Sequence, residues 1–159
     1  MTLNDAKRAG KLIYPGELKL AKSGMKLAKK TTDAPKAEAL IEATVSSHDD
    51  VYDLTYLKSP LGQVTVPGKT MGIGVGVRLR ILARDVSLTL MHQTDTSILN
   101  IFAATVDEIV AEGPSQVTVR LSIEDSLILA RITRKSADLL GLKPGLQVFA
   151  QTKSVALLA

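Results

Sequence analysis

Ala130-Arg131-Ile132-Thr133-Arg134-Lys135-Ser136-Ala137-Asp138-Leu139-Leu140-Gly141-Leu142-Lys143-Pro144-Gly145 passes from strand to helix to turn within a few residues. Its opening residues end an apolar run over 126–133. Thr133 is a residue type that caps a helix N-terminus, because its hydroxyl can accept a bond from an amide of the first turn. Residues 134–140 then read as a helix, and Gly141 stands where a left-handed glycine ends one. Lys143-Pro144-Gly145 fits a type II turn, with proline at its second position and glycine at its third. A strand over 147–156 follows. Strand, short helix, turn and strand therefore follow one another in that order.

Working outward, strands are expected at 102–110 and 116–123, separated from each other and from 126–133 by Glu112-Gly113-Pro114-Ser115 and Glu124-Asp125. Upstream the pattern is again β. Ile41, Ala43 and Val45 alternate with polar residues, as do Val64 and Val66, and Val77, Leu79, Ile81 and Ala83 alternate with Arg78, Arg80 and Arg84. Ser47-His48-Asp49-Asp50, Ser59-Pro60-Leu61-Gly62 and Pro67-Gly68 read as the turns. A faint repeat joins the two regions. Ala43-Thr44-Val45 leads to Asp85-Val86-Ser87-Leu88, and Ala104-Thr105-Val106 leads to Ser154-Val155-Ala156-Leu157. The second span is the longer, and the short helix accounts for the difference. The expected fold is mainly β: two OB-like barrels in tandem, with one short helix in the second. Strand exchange, between repeats or between chains, stays open.

Composition sets the outer bounds. The chain has 159 residues, 45% apolar and 23% charged, enough for one medium domain or two small ones. It has no cysteine, hence neither disulfides nor thiolate metal sites, which suits a reducing compartment. Its apolar runs are too short for a membrane-spanning helix, and its N-terminus lacks the apolar core of a secretion signal. The formal charge of +4 is unevenly placed: residues 1–40 carry +5 and the remainder −1. The organisation expected is a basic leader over 1–37 with a linker around Pro35, a first repeat over 38–94 and a second over 95–159. A near-neutral barrel region with scattered aromatics does not suit nucleic acid.

Catalytic chemistry has little to stand on. No G-x-x-x-x-G-K-[ST] run is present, so a phosphate cradle of the ATPase kind is missing. Gly72-Ile73-Gly74-Val75-Gly76 leads into a strand, not a helix, and reads as a loop. Ser46, Ser47, His48 and Asp49 are too close in sequence to line up as a triad. His48 and His92 lack metal-ligand spacing. The expectation is a non-enzyme without a metal or resident cofactor.

The ordered series Ser97-Ile98-Leu99-Asn100, Ala104-Thr105-Val106, Ala130 to Ser136, Leu140 to Gly145 and Ala150-Gln151-Thr152-Lys153-Ser154-Val155 resembles the small β-barrel of molbindins, the Mop (TOBE-like) family that binds molybdate and tungstate. Glu42 to Val45, Tyr52 to Leu57 and Arg78 to Leu88 look like the segment before that barrel in the ATP-binding subunit of molybdate ABC importers. Gly10 to Gly16 looks like the tail of the ATPase domain there. The resemblance implies an oxyanion-sensing and dimerisation region of such a subunit. The alternative is a free-standing cytoplasmic molybdate-binding protein. It further implies a homodimer through 95–159, importer ATPase and membrane subunits as partners, and a cytoplasmic location, peripheral to the membrane. Oxyanion contacts are implied for Ser97, Asn100, Ser136 and Lys153, with the ligand where the helix N-terminus faces the last strand, either within one chain or across a subunit boundary. The family's Ser-Ala-Arg-Asn signature reads Ser97-Ile98-Leu99-Asn100 here, so the arginine contact is lost.

Overall fold

In a computed structural model, the structure of the protein is described for residues 37–158. The expected leader, including its Pro35 linker and the Gly10 to Gly16 similarity, lies outside these apart from Ala37. Ten strands follow in order: β1 (Glu38–Asp49), β2 (Leu54–Ser59), β3 (Gly62–Pro67), β4 (Gly76–Leu82), β5 (Val86–Thr89), β6 (Asn100–Ala111), β7 (Gln116–Ile123), β8 (Ser126–Thr133), β9 (Gln147–Thr152) and β10 (Ala156–Leu158). A 3-10 turn at Ala83–Asp85 separates β4 from β5, and α1 (Arg134–Leu140) separates β8 from β9. The fold is mainly β, two OB-like barrels in tandem.

The strands form two five-stranded antiparallel sheets, ordered β10-β4-β1-β2-β3 and β5-β9-β6-β7-β8. Strands one to four of each repeat build that repeat's own sheet. The fifth crosses over: β5 pairs with β9, Val86 opposite Thr152, and β10 pairs with β4, Leu157 opposite Leu79. The question left open by the sequence is answered by a reciprocal exchange between the repeats of one chain. Each sheet is completed by the other half, so the two halves share one continuous core.

Alternation supplies that core. Along β1, Ala39, Ile41, Ala43 and Val45 point inward while Leu40, Glu42 and Thr44 face out. Glu42 stands directly opposite Arg78, and their side chains pair at 3.2 Å on the exposed face, a contribution of a few tenths of a kcal/mol. Both repeats bulge at the same place, between Val45 and Ser47 in β1 and between Val106 and Glu108 in β6. A bulge reverses the face that following residues present. In β6 this turns Glu108 onto the face of Arg120, where the two pair at 2.8 Å in a buried setting. β7 is buried on both faces over Val117–Leu121, because β8 beside it packs against the 3-10 turn, β5 and β1 of the first half.

Two expectations need correction. Ser47 to Asp49 belong to β1, and the turn follows at 50–53, with Asp53 at φ 58°. The strand expected over 147–156 is two: β9 ends at Thr152, whose hydroxyl donates to the Ser154 carbonyl at 2.9 Å, and the chain then crosses to the other sheet as β10.

Candidate functional site

The helix and its surroundings follow the local chemistry. Thr133 Oγ1 accepts from the Ser136 amide at 3.0 Å, as an N-cap does, and Gly141 ends α1 at φ 66°. The Leu146 amide donates to the Lys143 carbonyl at 3.1 Å across Pro144-Gly145, closing the turn. Thr133 Oγ1 also lies 3.0 Å from Ser136 Oγ and is placed to donate to it. A hydroxyl that accepts in this way keeps its own proton to give to another group. Ser136 is half-buried. Beside it an open groove of about 510 Å³ is lined by Pro114, Ser115, Thr133, Arg134, Lys135, Asp138 and Leu139.

Asn100 and Lys153 lie together at a different place, and Ser97 precedes Asn100 by three residues in the loop leading to β6. Asn100 begins β6 and pairs with Thr152, the last residue of β9, and Lys153 follows directly. Ser97 and Lys153 are exposed, and Leu99 is 65% exposed. Asn100 is buried, and its side chain is committed: Oδ1 accepts from the Thr65 amide at 2.8 Å, and Nδ2 donates to the Thr65 carbonyl at 2.9 Å.

The registers show how far apart these places are. Asn100 opposite Thr152 is one end of β6, and Ala111 opposite Val117 is the other. Gln116, next to Val117, pairs with Thr133 at the start of α1. Ser136 therefore sits at the far end of the sheet from Ser97, Asn100 and Lys153, roughly 35 Å along the strand path. Within one chain the helix start does not face Lys153.

Sequence reasoning passed over several polar groups. Gln151 lies two residues before Lys153, opposite Ile101 and Ser87; it is buried, and its Nε2 has no hydrogen-bond partner among the described residues. Glu112 is pushed up by burial, against a hydrogen bond from Thr118 and the nearby charge of Arg131. Arg131 is pushed down, by burial first and then by Arg84, while Glu112 opposes this. Arg84 comes from the 3-10 turn of the first half, so these charges straddle the seam between halves. At the tip of the first hairpin, Asp49 accepts from the Val51 and Tyr52 amides at 3.0 Å and from the Tyr56 hydroxyl at 2.7 Å. Those bonds, Tyr52's first, lower its carboxyl below the ordinary 3.8. Among the described residues no cluster of His, Cys, Asp or Glu is placed to hold a metal, and no helix is long and apolar enough to cross a membrane.

Two exchanged five-stranded sheets with a capped helix before the ninth strand define a tandem OB-like barrel, and residues 96–159 match the TOBE domain family. The chain is related to molybdenum import ATP-binding proteins, and carries the TOBE-containing region of that family. It is 48% identical over 122 residues to the molybdenum import ATP-binding protein ModC of Albidiferax ferrireducens, a match covering 77% of this chain and 33% of that protein. It is likewise 48% identical to ModC 1 of Azotobacter vinelandii, over 77% of this chain and 34% of the relative. A match to ModC of Methylococcus capsulatus, 36% identical, covers 96% of this chain and 43% of that one. The chain thus spans a third to under a half of these relatives' length. Among solved structures, the molybdate-bound cytoplasmic molybdate-binding protein ModG shares the fold, with a TM-score of 0.64 at 23% identity over 76% of this chain and 94% of that one.

Proposed function

We propose that this chain is the accessory region of a molybdate importer's ATP-binding subunit, and that it pairs with a second copy to form an oxyanion site. One observation carries the reading. Ser97 and Lys153 stand at one end of the second sheet and Ser136 at the other. A tetrahedral dianion spans only a few ångströms, so it cannot touch both groups in one chain. Two copies related by a two-fold axis, each laying its helix end against the other's Lys153 end, form two complete sites. Self-complementary contacts of this kind are how most homodimers close. Lys153 supplies the cation, and Ser97 and Ser136 supply hydroxyl donors. The ligand is molybdate or tungstate. Leu99 in place of arginine leaves the site one charge-assisted bond short, which suits a sensor that fills only when the cytoplasmic pool is high. Filling would slow uptake by holding the paired regions, and through them the ATPase and membrane subunits, in one arrangement. The region itself performs no catalysis.

A free-standing molybdate-binding protein is the second reading, favoured by the ModG-like fold. An ATPase domain encoded in frame directly upstream would decide for the first reading. Calorimetric titration with molybdate, with sulfate as control and light scattering for mass, tests what the two readings share. The expected result is a dimer that binds molybdate. A monomer at tens of micromolar that gives no heat would contradict both.

A further inference from the structure

β3 is an edge strand, with β2 on one side and no strand of its own sheet on the other. Thr65 stands opposite Tyr56 in that ladder, yet its N–H and C=O point away from β2, to Asn100. An open edge leaves such groups unpaired, a cost when they are partly buried. The asparagine amide carries the same donor and acceptor as a peptide group. Set against Thr65, it makes the pair of bonds that a neighbouring strand would make.

We infer that Asn100 acts as a one-residue strand that clamps the first sheet to the second and thereby fixes the Ser97–Leu99 segment and Lys153; it is a positioning residue, not an oxyanion contact. Three observations converge. Asn100 is 5% exposed, and both heteroatoms of its amide are engaged at ordinary hydrogen-bond lengths. Its backbone pairs with Thr152, immediately before Lys153, and it follows Leu99 directly. One residue therefore ties together β3, β6 and β9 where the candidate ligand residues emerge.

The third observation is the matching junction in the other half. By the alignment of the bulges, Ala39 of β1 stands where Asn100 stands in β6, and Leu129 of β8 stands where Thr65 stands in β3. Both are apolar and buried, at 2% and 1% exposure. The fold closes there without an amide, so it does not require one. The polar clamp is present only at the junction that carries Ser97 and Lys153.

The clamp stands independently of the proposed function; its consequence for binding rests on that reading. Amide hydrogen exchange and backbone resonances of the ligand-free protein test it, in Asn100→Ala and in Thr65→Pro. Proline removes the N–H aimed at Asn100 and leaves the bonds to β2, as an edge strand tolerates. In Asn100→Ala, Thr65 should lose about tenfold or more of its protection, the equivalent of one hydrogen bond, while Val64 and Val66 stay protected and report an intact fold. In both variants the resonances of Ser97, Leu99 and Lys153 should move. Unchanged Thr65 protection in Asn100→Ala would overturn the clamp. Unmoved resonances in Thr65→Pro would overturn its positioning role. If wild type binds molybdate, Asn100→Ala should weaken binding, and the wild-type Asn100 side-chain amide signals should stay in place as ligand is added. Their displacement by ligand would make Asn100 a contact and overturn the assignment. If wild type gives no heat with molybdate, the proposed function fails while the exchange result still decides the clamp.

Discussion

In the first repeat, β3 leads to β4 through an open loop, Gly68 to Val75, that leaves Ile73 and Val75 exposed. In the second, the same connection holds α1, capped by Thr133 and ended by Gly141. The junctions differ too: apolar, buried Ala39 and Leu129 hold the matching positions in one, and Asn100 is bonded to Thr65 in the other. The frame, the bulge and the exchanged fifth strand are common to both halves. The shared features make the barrel; the capped helix is confined to the second half, and the Asn100–Thr65 bonds to the junction beside Lys153. Duplication of a frame followed by specialisation of one copy's loops leaves this pattern, because loops can vary while the core is kept.

Equivalence of the frame predicts the largest effect. Leu57 of β2 and Leu121 of β7 occupy matching positions and are both fully buried. Truncating either to alanine should cost about 2–5 kcal/mol. Because each sheet borrows a strand from the other half, both variants should lower one shared transition in calorimetry. Two separate transitions, one moved by each variant, would show that the halves fold independently despite the exchange.

The second half's specialisation predicts the next effect. Lys153→Ala should weaken molybdate binding tenfold to a hundredfold, roughly 1.5–3 kcal/mol for a lost charge-assisted bond. Leu99→Arg should tighten it. Neither change touches the core, so the thermal midpoint should hold. Equal affinity in Lys153→Ala would remove the difference in chemistry between the halves.

A smaller effect sits at the helix. Thr133→Ala removes the acceptor for the Ser136 amide and should cost about 1 kcal/mol in denaturant unfolding. No effect would mean that α1 is held by packing alone.

The smallest effects are two opposed pH dependences. Asp49, in the first hairpin, has its carboxyl lowered by its hydrogen bonds. The stability it adds is present above its ordinary 3.8 and is lost as pH falls through the lower folded value. Glu112, beside Arg131 at the seam, is raised by burial. Its contribution is present below its ordinary 4.5 and fades as pH rises through the folded value. Relative to wild type, Asp49→Asn should therefore lose stability toward neutral pH, and Glu112→Gln should gain it. Parallel profiles from denaturation between pH 3 and 7 would contradict the assignment.

What the sequence made legible was local. The cap, the helix, Gly141 and the Lys143–Gly145 turn each depend on residues within one turn of one another, and all fall where expected. The first hairpin was misplaced because Ser47, His48 and Asp49 are polar in a strand that runs past the core, where no burial enforces alternation. Both bulges escaped notice, since a single extra residue in a ladder is defined by its partner strand. The crossing of β5 and β10 depends on pairings far apart in the chain, which no local pattern records. The same is true at the candidate site. Asn100 was picked out by its family position, but its bond to Thr65, 35 residues away, belongs to the folded chain. The separation of Ser136 from Lys153 likewise came from strand register and not from spacing.

That separation requires a site shared by two copies, and complementation is its test. Lys153→Ala and Ser136→Ala, each purified alone, should bind molybdate weakly. Co-expressed and mixed at random, half the dimers join one chain of each kind, and each such dimer holds one site with both residues intact and one with neither. Calorimetry on the mixture should then show wild-type affinity at about a quarter of wild-type capacity. A mixture that binds no better than its parts would contradict a site built from two copies.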